Sequence, residues 1–146
     1  PGKIYDIDVG KGSWLVQKTG YLGSQPTVKV EMAFQKKLGA IMFGGEGLVL
    51  QKLSGTGTAF ISACGDFNVV ELAPGEQYKV STSNAVAWEE TVSYDISAAG
   101  GIKTAMFGGE GLFVTTLTGP GKIVIQSMTL ADLAASLVPF LPDSKK

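Results

Sequence analysis

The heptapeptide MFGGEGL occupies residues 42–48 and recurs without change at residues 106–112, an offset of 64 residues. Seven identical residues in a row are a strong sign of internal repetition, and self-similarity at a fixed spacing identifies repeated structural units. Further along, LSGTG at residues 53–57 matches LTGPG at residues 117–121 with the same offset. The sequence therefore predicts a single domain over residues 1–146, built from two units of about 64 residues at 1–65 and 66–129.

Within each unit the hydrophobic pattern is typical of β-strands. In the segment 28–35, Val28, Val30, Met32 and Phe34 alternate with residues that include Lys29, Glu31 and Gln35, as expected of a strand with one buried face. Residues 92–96 repeat this alternation, whereas residues 48–50 and 112–114 are continuously apolar and predict strands covered on both faces. Short strands separated by Gly, Pro and Asn predict an all-β sandwich or barrel.

Only the C-terminal region has a helical pattern. Thr129 precedes an acidic residue three positions later, and the next apolar residues fall on one face of a helix. We predict a helix at about residues 130–138, followed by a tail at 139–146. Three roles stay open for this helix: a cap on an open end of the sandwich, an element shared with a neighbouring subunit, or a membrane-surface contact.

Composition excludes several kinds of chemistry. The 146 residues include 12 Lys and no Arg, no His and one Cys. Without His there is no Ser-His-Asp or Cys-His nucleophile, and one Cys cannot form an intramolecular disulfide or a Cys-based zinc site. A basic stripe interleaved with aromatic residues, which would indicate nucleic-acid binding, is absent from the sequence, and the net charge is −1. We also see no signal peptide and no transmembrane segment, which favours a cytoplasmic or otherwise intracellular protein.

The repeated glycine-rich motif is the sharpest candidate site. Its spacing excludes a P-loop, because no Lys-Ser or Lys-Thr follows the last glycine. We interpret both copies as strand-connecting turns, with no catalytic residue, no metal site and no cofactor. The alternative is a carboxylate pair, Glu46 with Glu110, sharing a proton or a divalent cation. The turn residues are Gly44, Gly45, Glu46, Gly47, Gly108, Gly109, Glu110 and Gly111.

These motifs, together with ELAPGE at residues 71–76, resemble the mitochondrial-biogenesis family related to the altered-inheritance-of-mitochondria protein 24. The resemblance implies a fold similar to the tryptophan RNA-binding attenuation protein (TRAP): a double-stranded β-helix, or two-sheet antiparallel sandwich, that forms homo-oligomers. It supplies no catalytic residues. It also implies that typical members carry a further N-terminal module ahead of the matched region.

Residue chemistry and resemblance together predict a function. We expect a non-enzymatic, homo-oligomerising β-sandwich that serves as a structural or interaction module, with itself and other proteins as partners. The alternative is a module that binds a ligand or nucleic acid, as the attenuation protein does.

Overall fold

The computed structural model describes residues 2–36, 47–98 and 113–142. Within these ranges the chain is a mainly antiparallel β structure with one short C-terminal α-helix, so the predicted all-β sandwich is confirmed. The strands are β1 Gly2–Asp8, β2 Trp14–Gln17, β3 Tyr21–Ser24, β4 Val28–Lys36, β5 Leu48–Gly55, β6 Thr58–Cys64, β7 Phe67–Leu72, β8 Gln77–Ser81, β9 Ala85–Glu89, β10 Ser93–Ala98, β11 Phe113–Thr118 and β12 Gly121–Gln126. The helix is α1 Leu130–Leu137.

The strands form one large sheet and two small ones. The large sheet has six strands in the order β4-β5-β2-β9-β12-β7. The small sheets have three strands each, in the orders β1-β6-β3 and β10-β11-β8. All the pairings between these strands are antiparallel.

Each face of the six-stranded sheet contributes to a separate hydrophobic core. Trp14 and Val16 of β2 pack in a first core with residues of β1 and β6, whereas the intervening Leu15 packs in a second core with Leu117 of β11. Because neighbouring side chains on a strand point to opposite faces, the two small sheets cover opposite faces of the large one. The sandwich therefore has its six-stranded sheet in the middle.

This arrangement explains the continuous apolar run in β5. Leu48, Val49 and Leu50 are all buried, because β5 lies inside the sheet that is covered on both faces. The prediction for residues 48–50 is thus confirmed. In the second copy, Leu112 lies outside the described residues, and Phe113 and Val114 are half-buried because β11 belongs to a small outer sheet.

Strand registers recur at the spacing of the sequence repeat. Lys29 pairs with Ser54 between β4 and β5, and Ser93 pairs with Thr118 between β10 and β11, which is the same register 64 residues later. The β3–β6 and β9–β12 pairs also share their register and a bulge at the equivalent position. These strand pairings therefore recur at the offset of the sequence repeat, and the division into units at 1–65 and 66–129 stays a prediction.

The two halves of the chain meet where β2 pairs with β9. Val16 lies opposite Ala87 at this junction. The buried side chain of Gln17 reinforces it, since its Nε2 donates hydrogen bonds of 2.6 Å to the carbonyl oxygens of Thr82 and Ala85. One amide group thus ties the first half of the chain to the second.

The helix α1 begins with the predicted capping box. The hydroxyl of Thr129 accepts a hydrogen bond from the backbone N–H of Asp132 at 3.0 Å, and the Asp132 carboxylate accepts one from the Thr129 N–H at 2.9 Å. The reciprocal pair satisfies two donors that a helix start leaves open. None of the residues of α1 is buried, so the helix is not packed as a core element.

Candidate interaction surface

The glycine-rich motifs chosen from the sequence lie mostly outside the described residues. Of the eight, Gly44, Gly45, Glu46 and Gly108 through Gly111 fall there, and the proposed Glu46–Glu110 pair with them. Gly47 is described, and its φ of 77° lies in the left-handed region that favours glycine. At this position the requirement for glycine agrees with the turn interpretation.

The apolar face of β4 is exposed where the alternation predicts burial. Val28 is buried and Phe34 is half-buried, but Val30 is 37% exposed and Met32 is 68% exposed. β4 is an edge strand of the six-stranded sheet, so within the described residues it has a strand neighbour on one side only. The prediction of a buried face was therefore wrong at Val30 and Met32.

The equivalent strand in the second half is better covered. Tyr94 and Ile96 of β10 occupy the positions of Val30 and Met32 in the repeat, and both pack against the second core. Tyr94 lies 5.3 Å from Trp88, measured between ring centroids. The exposure of the β4 face is thus specific to the first half.

The C-terminal helix and the turn after it present a second exposed apolar surface. Leu130 is 69% exposed, Leu137 is 50% exposed and Phe140 is 83% exposed. Of the three roles left open for this helix, a cap buried against the sandwich is the least consistent with these values.

A third group of exposed apolar side chains lies on the outer face of the β1-β6-β3 sheet. Ile4, Leu22 and Phe60 are between 41% and 62% exposed, and each comes from a different strand. Scattered apolar side chains are normal on protein surfaces, whereas contiguous apolar patches mark interaction sites. Exposed apolar side chains thus lie on three different parts of the described surface.

A small cavity lies between the end of β6 and the start of α1. It has a volume of about 270 Å³ and is lined in part by Cys64, Gln17 and Leu130. The side-chain amide of Gln126, which lines the cavity, is engaged in hydrogen bonds within the protein. It accepts one from the Cys64 N–H at 2.8 Å and donates one to the Ser83 carbonyl. Ligand pockets span roughly 300–1,000 Å³, so the volume of this cavity falls just below that range.

The electrostatic perturbations have local causes. The Lys3 ammonium donates to the Asp66 carboxylate at 2.9 Å and holds the pKa of that carboxyl below its ordinary value. Burial raises the pKa of Tyr94, which contacts Trp88. Across residues 2–36, 47–98 and 113–142, no group of three or more His, Cys, Asp or Glu side chains is placed to hold a metal ion.

None of the helices in the described ranges has the length and apolar content needed to cross a bilayer. Fold and surface together define an antiparallel β-sandwich protein with uncovered apolar strand and helix faces. The family model described as mitochondrial biogenesis AIM24 matches residues 1–128, and the chain belongs to that family.

Two relatives from Streptococcus pyogenes extend this result. An uncharacterised protein of serotype M6 is 29% identical over 145 residues, which are 99% of this chain and 57% of that protein. A crystal structure of an S. pyogenes protein superimposes with a TM-score of 0.79 at 28% identity, covering 97% of this chain and 61% of the other. This chain thus spans about three-fifths of the length of these relatives.

Proposed function

We propose that this protein is a non-enzymatic structural or interaction module that assembles with copies of itself. The observation that carries the proposal is the apolar face of β4, where the strand alternation is that of a covered surface but Val30 and Met32 are open to solvent. A free edge strand offers unpaired N–H and C=O groups to another chain. The exposed leucines of α1 add a second apolar surface that an assembly would cover.

The likeness to TRAP and the double-stranded β-helix description belong to this proposal as predictions. So does the absence of catalysis, which rests on the side chains the sequence lacks: without His the common nucleophile–base arrangements are unavailable.

The test is the absolute mass in solution, by light scattering after size exclusion, from about 1 μM to about 1 mM protein, a range that brackets weak and strong self-association. We expect a mass that is a multiple of the 15.2 kDa of the chain. A monomer at every concentration would contradict self-assembly.

The ligand- or nucleic-acid-binding alternative draws on the cavity beside Cys64 and on the family resemblance. Binding of RNA through phosphate contacts weakens steeply with salt. Filter binding of a random-sequence RNA at about 50 mM and about 200 mM salt tests it, since retention that falls with salt would favour this function over the first.

A further inference from the structure

The backbone N–H and C=O groups of β4 point alternately toward β5 and toward the opposite edge of the strand, where no other described strand pairs with it. The Thr56 N–H donates a hydrogen bond to the Thr27 carbonyl, just before β4 begins. In the same register, Lys29 and Glu31 of β4 direct their N–H and C=O groups toward β5. Residues on an antiparallel strand alternate in this respect. The N–H and C=O groups of Val30 and Met32 therefore point away from β5, toward the open edge.

The side chains of the same stretch are divided cleanly between the two faces. Val28, Val30 and Met32 lie on one face, with Leu53 and Gln51 beside them on β5. Lys29 and Glu31 lie on the other face, and both are exposed. Neither is part of an ion pair within the described ranges.

We propose that β4 pairs with β4 of a second copy about a two-fold axis at Val30, which joins two six-stranded sheets into one of twelve strands. The proposal rests on the self-assembly inferred above and names its interface. In this register Val30 faces Val30, and Val28 faces Met32, so one face carries a continuous apolar strip. On the other face Lys29 of each copy lies opposite Glu31 of the other.

The charges of Lys29 and Glu31 favour an axis at Val30 over an axis at position 29 or 31. Moving the axis by one residue to position 29 places Lys29 opposite Lys29, and moving it to position 31 places Glu31 opposite Glu31. Like charges directly opposite each other destabilise an antiparallel pair, and opposite charges stabilise it. An axis at Val30 is therefore the arrangement in which both faces of the strand are complementary.

The hydrogen bonds of this register use outward backbone groups of β4 that no other described strand pairs with. The Val28 N–H already donates to the Gln25 carbonyl at 3.0 Å. The remaining outward groups form four bonds across the axis: Val30 N–H to the facing Val30 carbonyl, and Met32 N–H to the facing Val28 carbonyl, each twice. The bulge at Ala33, between the Met32 and Phe34 pairings, ends the regular edge at Met32.

The decisive experiment is a charge exchange, read out as the dimer dissociation constant by sedimentation equilibrium. Lys29→Glu or Glu31→Lys alone places like charges opposite each other at two sites. We expect either change to raise the dimer dissociation constant about ten-fold or more. The double variant Lys29→Glu/Glu31→Lys restores both pairs and should return to within about three-fold of the unchanged protein. Lys79→Glu is the matched control, because Lys79 is also an exposed lysine on an edge strand, β8.

A cross-link locates the axis independently. In a Cys64→Ala background, Val30→Cys places one thiol opposite itself, with Cα atoms about 5.5 Å apart, inside the disulfide range of about 4.4–6.8 Å. Mild oxidation should give a covalent dimer. Ile4→Cys in the same background, on the exposed outer sheet, should give no covalent dimer under the same conditions.

The outcomes separate the interface from the proposed function. A protein that is monomeric throughout overturns both. An assembly that is unchanged by the charge variants and gives no Val30→Cys dimer overturns the β4 pairing and leaves self-assembly standing. A ring with an odd number of copies does the same, since a two-fold contact joins chains in pairs.

Discussion

At the scale of single residues, two glutamines make opposite contributions to the stability of the fold. Gln17 donates two hydrogen bonds of 2.6 Å to buried carbonyls across the junction of the two halves. Gln51, on the neighbouring strand β5, has a buried Oε1 that meets no hydrogen-bond donor in the described part of the chain. A satisfied buried amide stabilises the protein, and an unsatisfied one costs free energy.

The same substitution at both positions tests this difference. Gln17→Met leaves two carbonyls without a donor and should lower the free energy of unfolding by about 2 kcal/mol or more. Gln51→Met removes an unpaired acceptor and should change the free energy of unfolding by less than about 1 kcal/mol, or raise it. Urea denaturation gives both values, and equal losses would show that Gln17 is not the tie between the halves.

Single residues also differ in how much of their surroundings the sequence predicts. Gly47 was identified from the repeat, and its positive φ gives a physical reason for glycine there. Alternation places Val30 and Met32 on a buried face because it indicates which face of a strand is apolar. It does not report whether another layer covers that face. That depends on the position of β4 at the edge of the large sheet, which no local pattern encodes.

At the scale of elements, α1 should contribute little to the stability of the sandwich. Its capping box makes it a well-formed helix, yet none of its residues is buried. Ending the chain after Thr129 should change the free energy of unfolding by less than about 0.5 kcal/mol, because little apolar area leaves a packed environment. Thermal or urea unfolding of the truncated protein measures this.

A deletion at the other end provides the contrast. β1 pairs along its whole length with β6 and buries Ile7 in the first core. Removing residues 1–8 should therefore prevent folding or lower the free energy of unfolding by several kcal/mol. The loss should exceed that of a single core side chain, because the β1–β6 pairing is removed as well. If ending the chain after Thr129 lowered the free energy of unfolding as much as removing residues 1–8, the helix would have to pack on the sandwich.

Elements were predicted better than their arrangement. Alternation and glycine spacing indicated the strands, and Thr129 and Asp132 gave the start of the helix, because these signals depend on residues close together in the chain. The position of the six-stranded sheet between two small ones could not be predicted this way. It follows from the pairing of β2 with β9, whose residues lie about 70 positions apart.

At the scale of the whole molecule, the two cores should unfold together. The six-stranded sheet provides one wall of each, so neither core can open without disturbing strands of the other. Ile61→Ala in the first core and Leu117→Ala in the second should each lower stability by about 2–5 kcal/mol, and each should move one shared transition. Calorimetry measures this, and two resolved transitions in either variant would contradict a common unfolding unit.

The cavity at the end of β6 has a practical consequence for handling the protein. Gly2, at the start of β1, and Leu130, at the start of α1, both line it, so the first strand and the final helix begin at the same pole of the molecule. A dye, an affinity tag or a whole domain fused ahead of Gly2 would emerge beside the helix. In a chain ended after Thr129, a short peptide could also join Thr129 to Gly2, with new ends opened at the exposed Pro74–Gly75 turn, to give a circularly permuted chain with the same sheets.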